Sequence, residues 1–284
     1  MANHRKLFLS AALALLFPAL SLAAEIHPEL FNARALALGG AIRAVPASVM
    51  AARINPAALG PIRGFFGGLS YEGQNREEGG FDALQVTIVD NQTSNFAGAI
   101  QYSRRVSDFQ LEDLSLSIAG GQTTYFGGTL RYIHGRNSGG ESWESAVVGD
   151  LGVLAERPGG LRIAVTGQDL FASKLDFLDP RAALGLSFNL SSVWLFSADF
   201  VRHLERDVEE GQDLHIGLEW SPRGSGFAFR LGYMYEGLGE NRSYSTGIGW
   251  KNEEGLVFGY AVMIPEDDAT RSAAIHAFSV QAAL

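Results

Sequence analysis

The chain has 284 residues, of which 46% are apolar, with 34 glycines, 9 prolines, no cysteine and a formal charge of −9. That acidic balance argues against a nucleic-acid partner, because phosphate backbones demand a surplus of lysine and arginine. The missing cysteines exclude disulfide staples, thiol nucleophiles and thiolate-held metals, so an exported chain of this size must draw its stability from another source.

The first residues read as a secretory signal. Arg5 and Lys6 form a positive n-region, Leu7 to Leu16 is an apolar stretch broken by Pro18, and Ser21 and Ala23 are small residues at the −3 and −1 positions. Cleavage after Ala23 is expected, giving residues 1–23 as a signal peptide for Sec export. The competing reading, a membrane anchor, suffers from Ser10, Pro18 and Ser21 within a stretch barely long enough to span. No later run approaches 18 uninterrupted apolar residues, so no transmembrane helix is expected further on.

Residues 24–62 show no alternation. Asn32-Ala33-Arg34-Ala35-Leu36-Ala37-Leu38-Gly39-Gly40-Ala41 is followed by an alanine-rich stretch, Ala47 to Arg53, that predicts a short helix. Ser48 is a candidate N-cap and Asn55-Pro56 is the stop signal.

From Gly64 onward the chain alternates with period two, the mark of strands with two unlike faces. About fourteen such runs follow one another. Their apolar sets begin Phe65/Leu69/Tyr71, Leu84/Val86/Ile88, Phe96/Ile100/Tyr102, Leu114/Leu116/Ile118, Phe126/Leu130/Tyr132 and Val147/Leu151/Val153. They continue with Leu161/Ile163/Val165, Leu184/Leu186/Phe188, Trp194/Phe196/Phe200 and Leu214/Ile216/Leu218/Trp220. Phe227/Phe229/Leu231/Tyr233, Tyr244/Ile248/Trp250, Leu256/Phe258/Tyr260/Val262 and Phe278/Val280/Leu284 complete the series. Small or polar residues stand between, and each run approaches the roughly 9–11 residues a tilted strand needs to cross a bilayer.

The connections alternate in length. Glu72–Gly80, Ser103–Asp108, His134–Ser142, Asp169–Pro180, His203–Gln212, Gly237–Arg242 and Pro265–Arg271 read as long links. Asp90–Thr93, Gly120–Gln122, Glu156–Gly160, Ser191–Ser192, Pro222–Gly226 and Lys251–Gly255 read as short turns. Trp194, Trp220 and Trp250 all adjoin short turns, whereas Tyr71, Tyr102, Tyr132, Tyr235 and Tyr244 adjoin long links. Outer-membrane barrels combine these features: long extracellular loops, short periplasmic turns and aromatic girdles. In lipid every backbone polar group must be paired within the protein, which a closed barrel achieves without an edge. The expected fold is therefore all-β: a closed antiparallel transmembrane β-barrel of about fourteen strands spanning 63–284, placed in the outer membrane. Such a barrel is too wide for its own side chains to fill, so residues 24–62 are expected as a helical plug inside it.

The segment Asn32–Ala41 followed by Asn55-Pro56-Ala57-Ala58-Leu59 resembles the N-terminal signature of FadL-type outer-membrane proteins and of the PorV/PorQ type IX secretion barrels. Leu38-Gly39-Gly40-Ala41 and Asn55-Pro56-Ala57 match that signature, and Ala58 stands where a glycine is usual. Asp150-Leu151-Gly152, Gly167-Gln168-Asp169-Leu170, Leu214 to Trp220 and Arg230-Leu231-Gly232-Tyr233 are similar as well. The resemblance implies a fourteen-strand barrel with an N-terminal hatch, the plug motif comprising Arg34, Gly39, Gly40, Arg53, Asn55 and Pro56. At the other end the chain stops on Leu284, where many such barrels stop on phenylalanine.

Chemistry-bearing residues are sparse. The histidines His4, His27, His134, His203, His215 and His276 have no metal-ligand spacing, and no Gly-x-Ser-x-Gly elbow is present. No catalytic site, metal or cofactor is expected. Asp207, Glu209, Glu210 and Asp213, and separately Glu266, Asp267 and Asp268, form acidic links that read as solvated loops, with divalent-cation binding as the alternative. Arg131, Asp150, Arg162, Arg181, Asp199, His215, Glu219 and Arg230 sit opposite the apolar phase, so they are expected to line the lumen. There they either tune what passes or pair with each other and with Arg34, Arg43 and Arg53 of the plug, the expected partners being Asp150, Asp199 and Glu219. The functional reading is a channel for small or hydrophobic compounds, with a non-transporting scaffold for surface or secreted proteins as the alternative and a barrel enzyme as a third. The partners implied are outer-membrane lipid and lipopolysaccharide, hydrophobic small molecules and exported proteins.

Overall fold

Fourteen strands follow one another with a side chain pointing out at every second residue, which is the backbone geometry that β-branched and aromatic residues alternating with small polar ones favour. The computed structural model describes residues 32–47, 49–74, 80–107, 109–137, 143–171, 178–205, 211–237, 241–266 and 274–284. The signal peptide expected over 1–23 lies outside them. The strands are β1 (Phe65–Gln74), β2 (Phe81–Asp90), β3 (Ala97–Val106), β4 (Phe109–Gly121), β5 (Thr124–Asn137), β6 (Glu144–Glu156) and β7 (Leu161–Leu170). They continue as β8 (Arg181–Asn189), β9 (Trp194–His203), β10 (Gln212–Trp220), β11 (Phe227–Glu236), β12 (Asn241–Lys251), β13 (Val257–Pro265) and β14 (Ile275–Ala283). Each pairs antiparallel with its chain neighbours, and β1 pairs with β14, Leu69 opposite Val280 and Tyr71 opposite Phe278, closing the barrel. Closure removes both sheet edges.

The two faces of the wall differ sharply. Along β3, Ile100 is 55% exposed and Gln101 is 1% exposed. Ile100 stands opposite Leu116, and Leu116 opposite Leu130, so the outward residues form continuous apolar rows across strands. Trp194 and Trp220 are register partners whose rings stack at 5.8 Å, and Trp220 stacks in turn on Phe229 at 5.6 Å. Trp250 and Phe258 repeat the arrangement at 5.8 Å. These rings face outward at the end of the barrel where the short turns lie, and the outward tyrosines Tyr71, Tyr102, Tyr132 and Tyr244 lie toward the other end. Among the described residues no helix is long and apolar enough to cross a membrane; the apolar belt belongs to the strands.

Several connections are shorter than expected. Only residues 107–108 join β3 to β4, and β5 runs to Asn137, so His134 is a strand residue rather than part of a loop. β4, β5 and β6 are 13, 14 and 13 residues long against 9–11 for the others. The reason is visible in the outward positions Arg104, Glu112, His134, Arg136 and Ser145. Their polarity breaks the lipid-facing pattern, yet the backbone ladder continues, with Glu112 opposite His134 and Arg104 opposite Glu112. Polar outward residues end the lipid contact, not the strand.

Residues 32–47 and 49–59 lie inside the barrel, on the side of the wall that carries the polar residues. Helix α1 (Ala33–Ala37) is capped by Asn32, whose Oδ1 accepts from the Ala35 amide at 3.0 Å. Helix α2 (Ala51–Ile54) is shorter than the predicted Ala47–Arg53 helix: Met50 is its first flanking residue, and the expected cap Ser48 lies outside the described residues. Asn55 ends α2 as anticipated, and its Oδ1 then accepts from the Ala57 amide at 3.0 Å to start a 3₁₀ turn, Pro56–Leu59. Leu36, Leu38, Ile54 and Leu59 are fully buried, so the core of the molecule is the packing of this segment against the inner wall.

Candidate functional site

The site is the seam between the internal segment and the wall, and its chemistry starts from three arginines. Arg34 donates through Nε and Nη2 to the two carboxylate oxygens of Glu219 on β10, at 2.9 and 3.0 Å. Arg230 on β11 donates to the same carboxylate at 2.6 Å. Arg43 reaches Asp199 on β9, with Nη1 at 3.4 Å, and Gln168 on β7 at 3.0 Å. Arg53 donates to Asp113 on β4 at 2.5 Å. Two of these contacts fall on the neighbouring strands β9 and β10 and the third on β4, well apart in the strand order of the barrel, so together they fix the segment's rotation as well as its depth. An unpaired buried charge is expensive, and these pairings remove that cost.

From Arg53 the ion pairs continue up the wall. Asp113 also takes Arg131 Nη1 at 3.0 Å, Arg131 Nε lies 2.9 Å from Asp150, and Arg131 further pairs with Asp169. Asp169 accepts from Arg181 at 3.1 Å. Its own amide donates to Asp150 Oδ1 at 2.8 Å instead of to a strand partner. Asp169 sits at φ +55°, beside a register shift between β6 and β7 at Gly149/Leu151. Toward the end with the longer links, His203 stands between Asp179 and Asp213 at 2.8 and 2.7 Å. Close to this network Leu111, Ile133 and Val148 form an apolar patch on the inner wall, and Leu178, from the link between β7 and β8, packs onto it.

The wall accepts the segment through glycine. A Cβ at Gly217 would stand 2.8 Å from the Leu38 carbonyl oxygen, and one at Gly185 would stand 2.9 Å from Arg43 Cβ. At Gly127, Gly152 and Gly232 it would overlap Ala57, Asn55 and Gly39 outright. From the other side Gly39, at φ +61°, brings its backbone against Tyr233, where a Cβ would lie 2.7 Å from the carbonyl oxygen. This close approach is the physical content of the Gly39-Gly40 and Asn55-Pro56 motifs: both are points where backbone meets backbone or wall without side chains between.

The sequence-derived residues fall as follows. Arg131, Asp150, Arg181, Asp199, Glu219 and Arg230 face inward within the ion-pair system just described. Arg162 also faces inward, but at the short-turn rim, where it donates to Glu156 at 2.8 Å. His215 is buried opposite Asp199 and Met234. Two of the three plug arginines meet carboxylates singled out for them, Arg34 with Glu219 and Arg43 with Asp199. Arg53 takes Asp113, which had not been singled out, while Asp150 serves Arg131. Asp113 shares the inward phase of Leu111 and Ser115, so the alternation itself carried the signal. Asp169 had been assigned to a link, and its left-handed backbone gives no periodic cue. Asp207, Glu209, Glu210, Asp267 and Asp268 lie outside the described residues. Asp213 is not part of a solvated acidic loop but faces the lumen against His203, and Glu266 lies 3.7 Å from Arg242. Among the described residues no three metal-ligating side chains converge.

A closed fourteen-strand barrel with a lipid-like outer face and an ion-paired segment inside it defines the class, a transmembrane β-barrel with an internal N-terminal element. Comparison with solved structures identifies the fold as the FadL type. The Ralstonia pickettii toluene transporter TbuX superposes with a TM-score of 0.71 at 13% identity, over 89% of this chain and 98% of that one. The CymD monoaromatic hydrocarbon channel gives 0.69 at 12%, over 89% and 97%. A Pseudomonas aeruginosa FadL homologue gives 0.64 at 9%, over 89% and 98%. These neighbours are a toluene transporter, a monoaromatic hydrocarbon channel and a FadL homologue, and at such identities the likeness is one of fold. No protein-family model matches the sequence, and no curated protein matches it.

Proposed function

We propose that the protein is an outer-membrane channel for small hydrophobic compounds, exported by the signal at 1–23 and divided into an internal hatch, 24–62, and a barrel, 63–284. The observation that carries this reading is the arrangement of the lumen. An apolar patch, Leu111, Ile133 and Val148, faces inward beside the ion-pair network and is covered by Leu178. The patch stands apart from the apolar packing around the hatch and borders the Asp113, Arg131 and Asp150 ion pairs, and a hydrophobic solute that displaced Leu178 would gain about 25 cal/mol per Å² of apolar surface it covers there. The toluene and monoaromatic hydrocarbon specificities of the similarly folded proteins point the same way. The luminal charges then have a positioning role: they hold the hatch against the wall and exclude bulk water and ions.

The test is whole-cell uptake of labelled toluene by a Gram-negative host whose lipopolysaccharide layer is intact, with and without the protein. Uptake should accelerate, and Leu178→Asp, which puts a charge on the apolar patch, should abolish the gain while the barrel still assembles. Equal uptake with and without the protein contradicts the reading.

A further inference from the structure

At the short-turn end the hatch leaves a recess of about 260 Å³ against the wall. Val45 and Pro46 of the hatch and Leu195 of β9 give it an apolar side, and Arg34, Arg162 and Glu219 give it a charged one. Two guanidinium groups and one carboxylate line it: Arg34 shares Glu219 with Arg230, and Arg162 pairs with Glu156, Arg230 and Glu156 standing outside the lining. Arg34 commits Nε and Nη2 to Glu219, which leaves its Nη1 unengaged. Arg162 commits only Nε to Glu156, which leaves both Nη groups unengaged. Their side chains keep 28% and 19% of their exposure, so these free N–H groups are reachable from the recess. Both guanidinium planes are already held in place by the pairs they make, so a ligand would meet donors that need no further ordering.

We propose that this recess binds a compact organic carboxylate, its oxygens on Arg34 and Arg162 and its apolar body on Val45, Pro46 and Leu195. Planar guanidinium groups match carboxylates bidentately, and charge-assisted hydrogen bonds are about twice as strong as neutral ones. The surplus positive charge sets the sign of the ligand, and the apolar side distinguishes it from an inorganic anion. The volume is below the roughly 300–1,000 Å³ typical of drug-sized sites, which sets the size at a single ring or a short branched chain. The site goes beyond the channel reading and stands whether or not solute crosses the barrel.

Calorimetric titration of the purified full chain in detergent tests it, with benzoate, benzyl alcohol and inorganic phosphate as probes. Benzoate should bind saturably, on the order of ten-fold more tightly than the neutral alcohol or phosphate, in keeping with one or two charge-assisted hydrogen bonds. Arg162→Gln should weaken benzoate by a similar factor, and Lys251→Gln, at a different short turn, should leave it unchanged. The ligand series on the wild-type chain decides the chemistry even if the variant assembles poorly. Absence of saturable benzoate binding, equal affinity for benzyl alcohol or for phosphate, or an Arg162→Gln chain that binds benzoate as the wild type does would overturn the proposal.

Discussion

Asp199 on β9 accepts twice from Arg43, from its amide at 3.0 Å and from Nη1 at 3.4 Å, and once from the neighbouring Ile42 amide at 2.9 Å. Both side chains are fully buried. Removing one member of such a pair leaves the other charged, buried and poorly compensated, a cost of about 3–5 kcal/mol. Asp199→Ala should therefore lower stability by that order in denaturant titrations of refolded protein. It should also raise the labelling rate of a cysteine placed at Ala44, because the hatch loses its anchor at that point. Asp199→Ala with unchanged stability would mean that Arg43 is held by Gln168 alone.

The glycine seat makes a sharper contrast. A Cβ at Gly232 overlaps Gly39, whereas a Cβ at Gly98 meets nothing within 4 Å. Gly232→Ala should destabilise by at least the roughly 1–3 kcal/mol of an overpacked core, and Gly98→Ala should stay within about 0.5 kcal/mol of wild type. Thermal unfolding in a common detergent checks both, and a neutral Gly232→Ala would show that the hatch does not press on β11.

The barrel is legible in the sequence because lipid and lumen impose opposite demands on alternate residues. Leu84, Val86 and Ile88 could not be read any other way, and Trp194, Trp220 and Trp250 mark one rim. Strand ends are less legible, since His134 and Arg136 face outward above the lipid and look like loop residues although they are hydrogen-bonded in β5. In the hatch, the arginines announce that carboxylates must meet them, but which carboxylate depends on register and depth. Arg53 could have met Asp150 or Asp113 by phase alone; the turn at Asn55-Pro56, seated on Gly127 and Gly152, places it beside Asp113. Asp169 was hidden for another reason, because its left-handed backbone breaks the very periodicity that exposes the others.

The outward face should behave as a lipid-contacting surface. Leu116 is 56% exposed between Ile100 and Leu130, midway along the apolar rows. Leu116→Arg should cost about 2–4 kcal/mol of folding free energy in bilayers. Equal folding of wild type and variant into lipid vesicles would place this face elsewhere.

The proposed channel places its short turns toward the periplasm and its longer links outside. The cysteine-free background makes single-cysteine labelling clean. A membrane-impermeant maleimide on intact cells should label Glu205→Cys, just beyond β9, and should spare Glu253→Cys, in the turn between β12 and β13. The reverse pattern would invert the barrel.

In the proposed channel, residues 33–53 close a barrel that can exist without them. The strands begin at Phe65 and their backbone ladder is continuous around the closure of β1 on β14, so the strand-to-strand hydrogen bonds do not run through the hatch. Glu219 keeps Arg230 and Asp113 keeps Arg131 when the hatch is gone. Planar-bilayer conductance of the chain lacking residues 33–53 tests this most directly. The deletion barrel should assemble and show a large increase in single-channel conductance over the wild type. An assembled deletion barrel that conducts no better than the wild type would contradict this reading.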